Sequence, residues 1–192
     1  MNITSELVKT LRDKTQAGIM DCKEALKEAD GDLEKAVEYL RKKGLATAQK
    51  RAGRATSQGQ IGSYIHGGGK IGVMVEVNCE TDFVGRTDQF SEFVHNIAMH
   101  IAAANPLCVR REDMATDIME KEKDIYRAQA QESGKPEKVI EKIVDGKVDK
   151  FFKESCLLEQ AYVKNPDISI TDYLNETIAQ TGESITIRRF TR

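Results

Sequence analysis

Gly67-x-Gly69-x-x-Gly72 matches, as a string, the glycine fingerprint that cradles a dinucleotide pyrophosphate. That chemistry needs the glycines between a strand and the start of a helix, where free backbone N–H groups meet phosphate. Here the alternating residues from Ile71 open a strand instead, so the glycines read as a hairpin turn. Lys70 fails as a phosphate-loop lysine because Tyr64 and Ile71 stand where that pattern needs Gly and Ser or Thr. Direct nucleotide binding is not expected. His95 and His100, five residues apart, fall about 140° apart around a helix, too far to ligate one metal together. Cys22, Cys79, Cys108 and Cys156 form no Cys-x-x-Cys pair and read as small apolar side chains. No Gly-x-Ser-x-Gly elbow and no activated nucleophile is present, so neither covalent catalysis, a cofactor nor a metal is expected.

The binding candidate is Glu76-Val77-Asn78-Cys79-Glu80-Thr81-Asp82-Phe83-Val84. Ile71, Val73, Val75, Val77 and Cys79 share one parity while Gly72, Met74, Glu76 and Asn78 share the other, the period of a half-buried strand. Beyond Cys79 the alternation stops in a polar turn that still carries Phe83 and Val84. Two readings stay open on the residues alone. Phe83 plugs the core while Thr81 or Asp82 turns the chain, or the tip is presented to a partner.

The elements that must position this tip follow from periodicity. Residues 5–43 read as three short helices, with Leu7/Val8/Leu11, Ile19/Cys22/Leu26/Ala29 and Leu33/Ala36/Val37/Leu40 as their apolar stripes. Thr15-Gln16-Ala17-Gly18 separates the first two, Asp30-Gly31 ends the second, and Asp32 can cap the third. Met20 lies about 100° off the second stripe, which leaves it either an exposed, adaptable contact or partly buried in a small bundle. Ile61, Ser63 and Ile65 alternate toward the triple-glycine turn, and Ser184 to Thr191 is the other strand candidate. The sheet therefore recruits the carboxy-terminal segment, since a lone hairpin is marginal. From Asp88 to Ala104, Phe90, Phe93, Val94, Ile97, Ala98, Ile101 and Ala102 follow helical spacing and should cover the sheet. A charge-rich helix follows Asp117. Another begins at Pro136 and is expected to bury Val139, Ile140, Ile143, Val144, Phe151 and Phe152, and a last one starts near Thr171.

This is an α+β chain, a three-helix bundle followed by a small antiparallel three-stranded sheet covered by helices. A boundary is expected near residue 55, giving a helical bundle with a basic linker helix over 1–55 and an α+β core over 56–192. The 192 residues carry a formal net charge of -2, so the chain lacks the basic excess of a dedicated nucleic-acid binder. Charge is uneven, with twelve basic against nine acidic residues through Thr56 and seventeen against twenty-two beyond it. Arg41, Lys42, Lys43, Lys50, Arg51 and Arg54 carry no acid among them. They read as a solvated linker helix, with an RNA-binding accessory protein as the alternative function. No apolar run approaches the roughly 20 residues of a membrane span, and Met1-Asn2-Ile3-Thr4-Ser5-Glu6 has no signal pattern, so a cytoplasmic protein without a membrane partner is expected.

The opening Leu7-Val8-Lys9-x-Leu11-Arg12 with Thr15-x-Ala17-Gly18-x-Met20-Asp21-Cys22-Lys23-x-Ala25-Leu26 resembles the elongation factor Ts family, as does Asn78-Cys79-Glu80-Thr81-Asp82-Phe83-Val84. Ser133-Gly134-Lys135-Pro136, Glu141-Lys142-Ile143-Val144, Phe151-Phe152 and Cys156-Leu157-Leu158-Glu159-Gln160 extend the likeness over nearly the whole chain. The resemblance implies a UBA-like amino-terminal bundle and a guanine-nucleotide exchange factor that binds elongation factor Tu. It implies that Thr81, Asp82, Phe83 and Val84 press on the partner and dislocate its Mg2+, while Arg12, Ile19 and Met20 dock the bundle. Two positions depart from the pattern. Ile19-Met20 stands where the family often has Met-Met, and Gln16 where glycine often follows the threonine. The chain also resembles the short members with a single core unit, which implies a homodimer.

Overall fold

The computed structural model describes residues 3–15, 17–132 and 134–192. Gln16 and Ser133, each part of a motif singled out above, lie outside them, as do Met1 and Asn2. The chain divides into two compact units, one of Met1–Ile61, Val77–Val94 and Asp172–Thr186, the other of Gly62–Glu76, His95–Thr171 and Ile187–Arg192.

In the first unit, α1 (Ser5–Thr15), α2 (Ile19–Glu28) and α3 (Leu33–Arg51) form the expected bundle around Leu11, Cys22, Ala25, Leu26, Ala29 and Ala36. The Gly31 N–H bonds the Leu26 carbonyl at 2.8 Å and the Asp30 N–H that of Lys27, a Schellman ending in which Asp30 takes the left-handed φ of 50°. Asp32 then caps α3, its carboxylate accepting from the N–H groups of Glu34 and Lys35 at 2.9 and 3.1 Å. Two expectations fail here. The basic segment is no separate linker helix, because α3 runs unbroken through it to Arg51. Ile19, placed by its spacing on the buried stripe, is 56% exposed. It is the first residue of α2, and periodicity carries no information about where the neighbouring helices stop covering a stripe.

β1 (Gln58–His66), β2 (Ile71–Cys79) and β5 (Ile185–Thr191) form a sheet in the order β1-β2-β5, so the carboxy-terminal strand pairs beside β2 as expected. Gly67, Gly68 and Gly69 turn the hairpin with φ of 62°, 65° and 90°. Such a run of positive φ is cheap only for glycine. Val73, Val75, Val77 and Cys79 of β2 and Ile185 and Ile187 of β5 form the buried face. A single turn, α4 (Asp82–Gly85), follows β2, and then α5 (Asp88–Ala104), whose predicted apolar residues are all buried.

In the second unit, α6 (Thr116–Gln131) and α7 (Glu137–Ser155) bury Ala130, Ile140, Val144 and Val148 between them. Val139 is exposed rather than buried, because it sits one residue off the i, i+4, i+8 line of Ile140, Val144 and Val148. β3 (Ala161–Tyr162) and β4 (Asn165–Ser169) form a short antiparallel ribbon ahead of α8 (Ile170–Thr181). The Glu159-Gln160 pair has structural work in this unit. Glu159 accepts from Arg111, with one Nη2–Oε2 distance of 2.7 Å, and the Arg111 guanidinium lies 4.6 Å from the centre of the Phe152 ring. Gln160 Oε1 lies 2.9 Å from His100 Nε2, and its amide nitrogen donates to the Glu154 carbonyl at 2.6 Å.

Candidate functional site

Thr81, Asp82, Phe83 and Val84 lie in the first unit, where β2 gives way to α4. Leaving the strand, Thr81 is extended, with φ -123° and ψ 157°, and its hydroxyl accepts from the Val84 N–H at 3.4 Å as the cap of α4. Asp82 at the first helical position suits the positive end of the turn and meets Arg86 at 2.9 Å. Phe83 is 82% exposed, which overturns the core-plug reading. Beneath the turn the packing is tight. Gly85 is buried, and a Cβ built there would lie 3.4 Å from Cys79 Sγ and 3.6 Å from the Gly59 Cα. Gly59 itself has φ 142°, and any Cβ on it would sit 2.1 Å from the Val77 carbonyl oxygen. Gln60 completes the underside, its amide donating to the Gly85 carbonyl at 2.6 Å and to Ser91 Oγ at 3.0 Å.

A set of charges that sequence reasoning missed surrounds the base of the tip. Glu80 receives the Ser184 N–H at 2.7 Å, Arg51 Nη1 at 3.0 Å and Arg54 Nη1 at 3.3 Å. The amide bond, with help from the two guanidinium groups, holds its carboxyl below the usual range for glutamate. Glu183 takes Thr81 through both its N–H, at 3.0 Å, and its hydroxyl, at 2.6 Å. The Cys79 thiol points at the Thr81 carbonyl at 3.1 Å, and burial raises its pKa, so it is a neutral packing group.

The amino-terminal candidates lie in the same unit. Arg12 is exposed on α1, and Met20, beside Ile19 at the start of α2, is 74% exposed. The end of α8 ties this bundle to the tip's neighbourhood, since the Gln180 amide donates to the Thr15 carbonyl at 2.8 Å and its oxygen accepts from Gln89. The basic run is engaged internally. Arg41 meets Asp172 at 3.0 Å, Lys42 meets Glu38 at 2.7 Å, Lys43 meets Asp21 at 2.9 Å, and Arg51 and Arg54 share Glu80. A phosphate backbone would have to compete with these carboxylates.

Among the described residues no group of three or more His, Cys, Asp or Glu gathers to hold a metal, and no helix is long and apolar enough to cross a membrane. What the surface offers is an exposed aromatic on a braced turn and an exposed Ile-Met pair.

The whole chain, residues 1–192, matches the family model described as Elongation factor TS. It is 65% identical over 190 residues to the elongation factor Ts of Desulfosudis oleivorans, covering 99% of this chain and 96% of that one. It is 60% identical over 192 residues to that of Geobacter sulfurreducens, covering 100% and 89%, and 60% identical over 190 residues to that of Carboxydothermus hydrogenoformans, covering 99% and 88%. The family model and these full-length likenesses define a translation elongation factor. The chain belongs to the elongation factor Ts family.

Proposed function

We propose that this chain is a cytoplasmic guanine-nucleotide exchange factor, acting without covalent chemistry, that binds elongation factor Tu carrying GDP, displaces its Mg2+ and releases GDP so that GTP can load. The observation that carries this reading is Phe83, an aromatic side chain held out from a capped turn with 82% of its surface in water. Exchange requires reciprocity, because the factor and the nucleotide must weaken each other's hold on the same partner. A thousandfold gain in release rate corresponds to about 4 kcal/mol at the barrier. Burying one Phe side chain contributes roughly 1.5 to 3 kcal/mol, so Phe83 supplies about half and the rest falls to Thr81, Asp82, Val84 and the bundle. Asp82 brings negative charge to the place where Mg2+ is held, while Arg12, Ile19 and Met20 anchor the bundle against the partner.

The chain acts as a homodimer in this proposal. Support comes from the second unit, where Ile65 is 66% and Met74 58% exposed. A Cβ on Gly72 would lie 3.4 Å from Ile65 Cδ1, so Ile65 shares the face of Gly72 and hence of Met74.

The test is release of labelled GDP from elongation factor Tu in excess unlabelled nucleotide. The protein should accelerate release, and Phe83→Ala should lower the maximal rate at least tenfold with an unchanged melting temperature, the equivalent of about 1.4 kcal/mol or more. No acceleration by the unaltered protein would overturn the function, and full stimulation by the variant would overturn the role of Phe83.

A further inference from the structure

We propose that Glu183 is a positioning residue for exchange, one half of a reciprocal carboxylate clamp that fixes the Thr81–Val84 turn before the partner arrives. This rests on the reading that Phe83 engages elongation factor Tu. The clamp lies within the first unit and joins two neighbouring pairs of residues. Glu80 accepts the backbone N–H of Ser184 at 2.7 Å, while Glu183 accepts the backbone N–H of Thr81 at 3.0 Å. Each segment thus offers an acid to an amide of the other, immediately beyond Cys79 at the end of β2 and before Ile185 at the start of β5.

The chemistry of Thr81 makes the clamp directional. Its hydroxyl donates to Glu183 Oε1 at 2.6 Å, which commits the one proton it has. The oxygen lone pairs are left to accept from the Val84 N–H at 3.4 Å, the bond that caps α4. Glu183 therefore sets the rotor that makes Thr81 a cap, and adjacent hydrogen bonds in such a chain polarise one another. Two carboxylates side by side would repel, but Arg51 and Arg54 both stand against Glu80, at 3.0 and 3.3 Å. Glu80 is thus charge-compensated by Arg51, the last residue of α3, and by Arg54 just beyond it.

Phe83 has almost no packing of its own to hold its direction. Its orientation comes from the turn that carries it, and the turn is held by Glu183 above and by the tight seat on Gly59 and Cys79 below. Releasing the clamp moves the ordering of the turn into the binding step, where it costs affinity. Once the complex has formed, Phe83 still reaches its seat.

GDP release from elongation factor Tu, followed over a range of factor concentrations, separates these effects. Glu183→Ala should raise the concentration for half-maximal stimulation about tenfold, the scale set by immobilising a few groups on binding, while the maximal rate stays within about twofold. Glu183→Gln, which keeps an acceptor for the Thr81 N–H, should fall between the two. Glu183→Asp, which keeps the charge but draws the carboxylate back from Thr81, should shift half-saturation in the same direction and serves if Glu183→Ala does not fold. Phe83→Ala is the control for the parent reading, since it should lower the maximal rate instead. If Phe83→Ala has its effect while Glu183→Ala and Glu183→Asp leave half-saturation within about twofold, the clamp is overturned and the wedge survives. If Glu183→Ala lowers the maximal rate as Phe83→Ala does, with folding intact, Glu183 touches the partner and the positioning role is overturned. If Phe83→Ala changes nothing, the parent reading falls whatever Glu183 does.

Discussion

His100 is fully buried in the second unit, between two hydrogen bonds of opposite sense. The Val163 N–H donates to Nδ1 at 3.3 Å, so Nδ1 is bare and the proton sits on Nε2, where it donates to Gln160 Oε1 at 2.9 Å. Burial holds the imidazole neutral and lowers its pKa from the ordinary value of 6.5, with the bond to Gln160 opposing in part. A lowered pKa means that the unfolded chain takes the proton first, so stability falls as pH drops below about 6.5, by at most about 1.4 kcal/mol per pH unit for one proton. Glu176, whose pKa burial raises, titrates with the opposite sign. The expected result is therefore a difference between proteins. Denaturant midpoints should fall more between pH 7.5 and 5.5 for the unaltered chain than for His100→Gln. Equal pH dependence would show that His100 titrates freely. The sequence separated His100 from His95 as a ligand pair and placed Gln160 in a family segment, but the His100–Gln160 partnership spans 60 residues and one sequence records no pairing.

Among the elements, β1, β2, α5 and β5 were readable because each has a period long enough to repeat. The single turn α4 was not, since four residues after a strand show no period, and the same four residues fitted either a plug or a contact. The β3–β4 ribbon was missed for a related reason. It offers two residues against five, with Pro166 among them, a residue confined to edge strands. The ion pairs of the basic run were not legible because most of its acids come from other elements: Asp21 and Glu24 for Lys43, Asp172 for Arg41, and Glu80 for Arg51 and Arg54. Gly59 shows how one element constrains another. With φ 142° and the Val77 carbonyl where a Cβ would go, the β1 strand has no room for a side chain beneath α4. Gly59→Ala should therefore destabilise the protein by roughly 1 to 3 kcal/mol, seen as a lowered melting temperature. It should also weaken stimulation of GDP release by shifting the turn that carries Phe83. An unchanged melting temperature would mean that the strand can move aside at little cost.

For the whole molecule, the proposed homodimer makes a prediction that does not depend on the exchange chemistry. Sedimentation should give twice the 21.5 kDa of one chain, and Met74→Asp should shift the equilibrium toward the monomer while leaving the fold intact. A monomer at every concentration would remove the dimer from the proposal. The exposed face is bordered by charge, since Glu76 meets Arg189 at 2.7 Å and Arg188 at 3.5 Å, which suits an apolar centre with a polar rim.

The bond from Thr81 to Glu183 spans 102 residues of chain, and that from Ser184 to Glu80 spans 104. A ribosome making this protein therefore exposes Phe83 long before it delivers the acid that fixes Phe83 in place. During that interval the helical bundle, whose contacts are local, has time to fold, whereas the tip waits with its aromatic side chain on an unfinished turn. The surface that would meet a translation factor is complete only once the chain has grown 102 residues past Thr81.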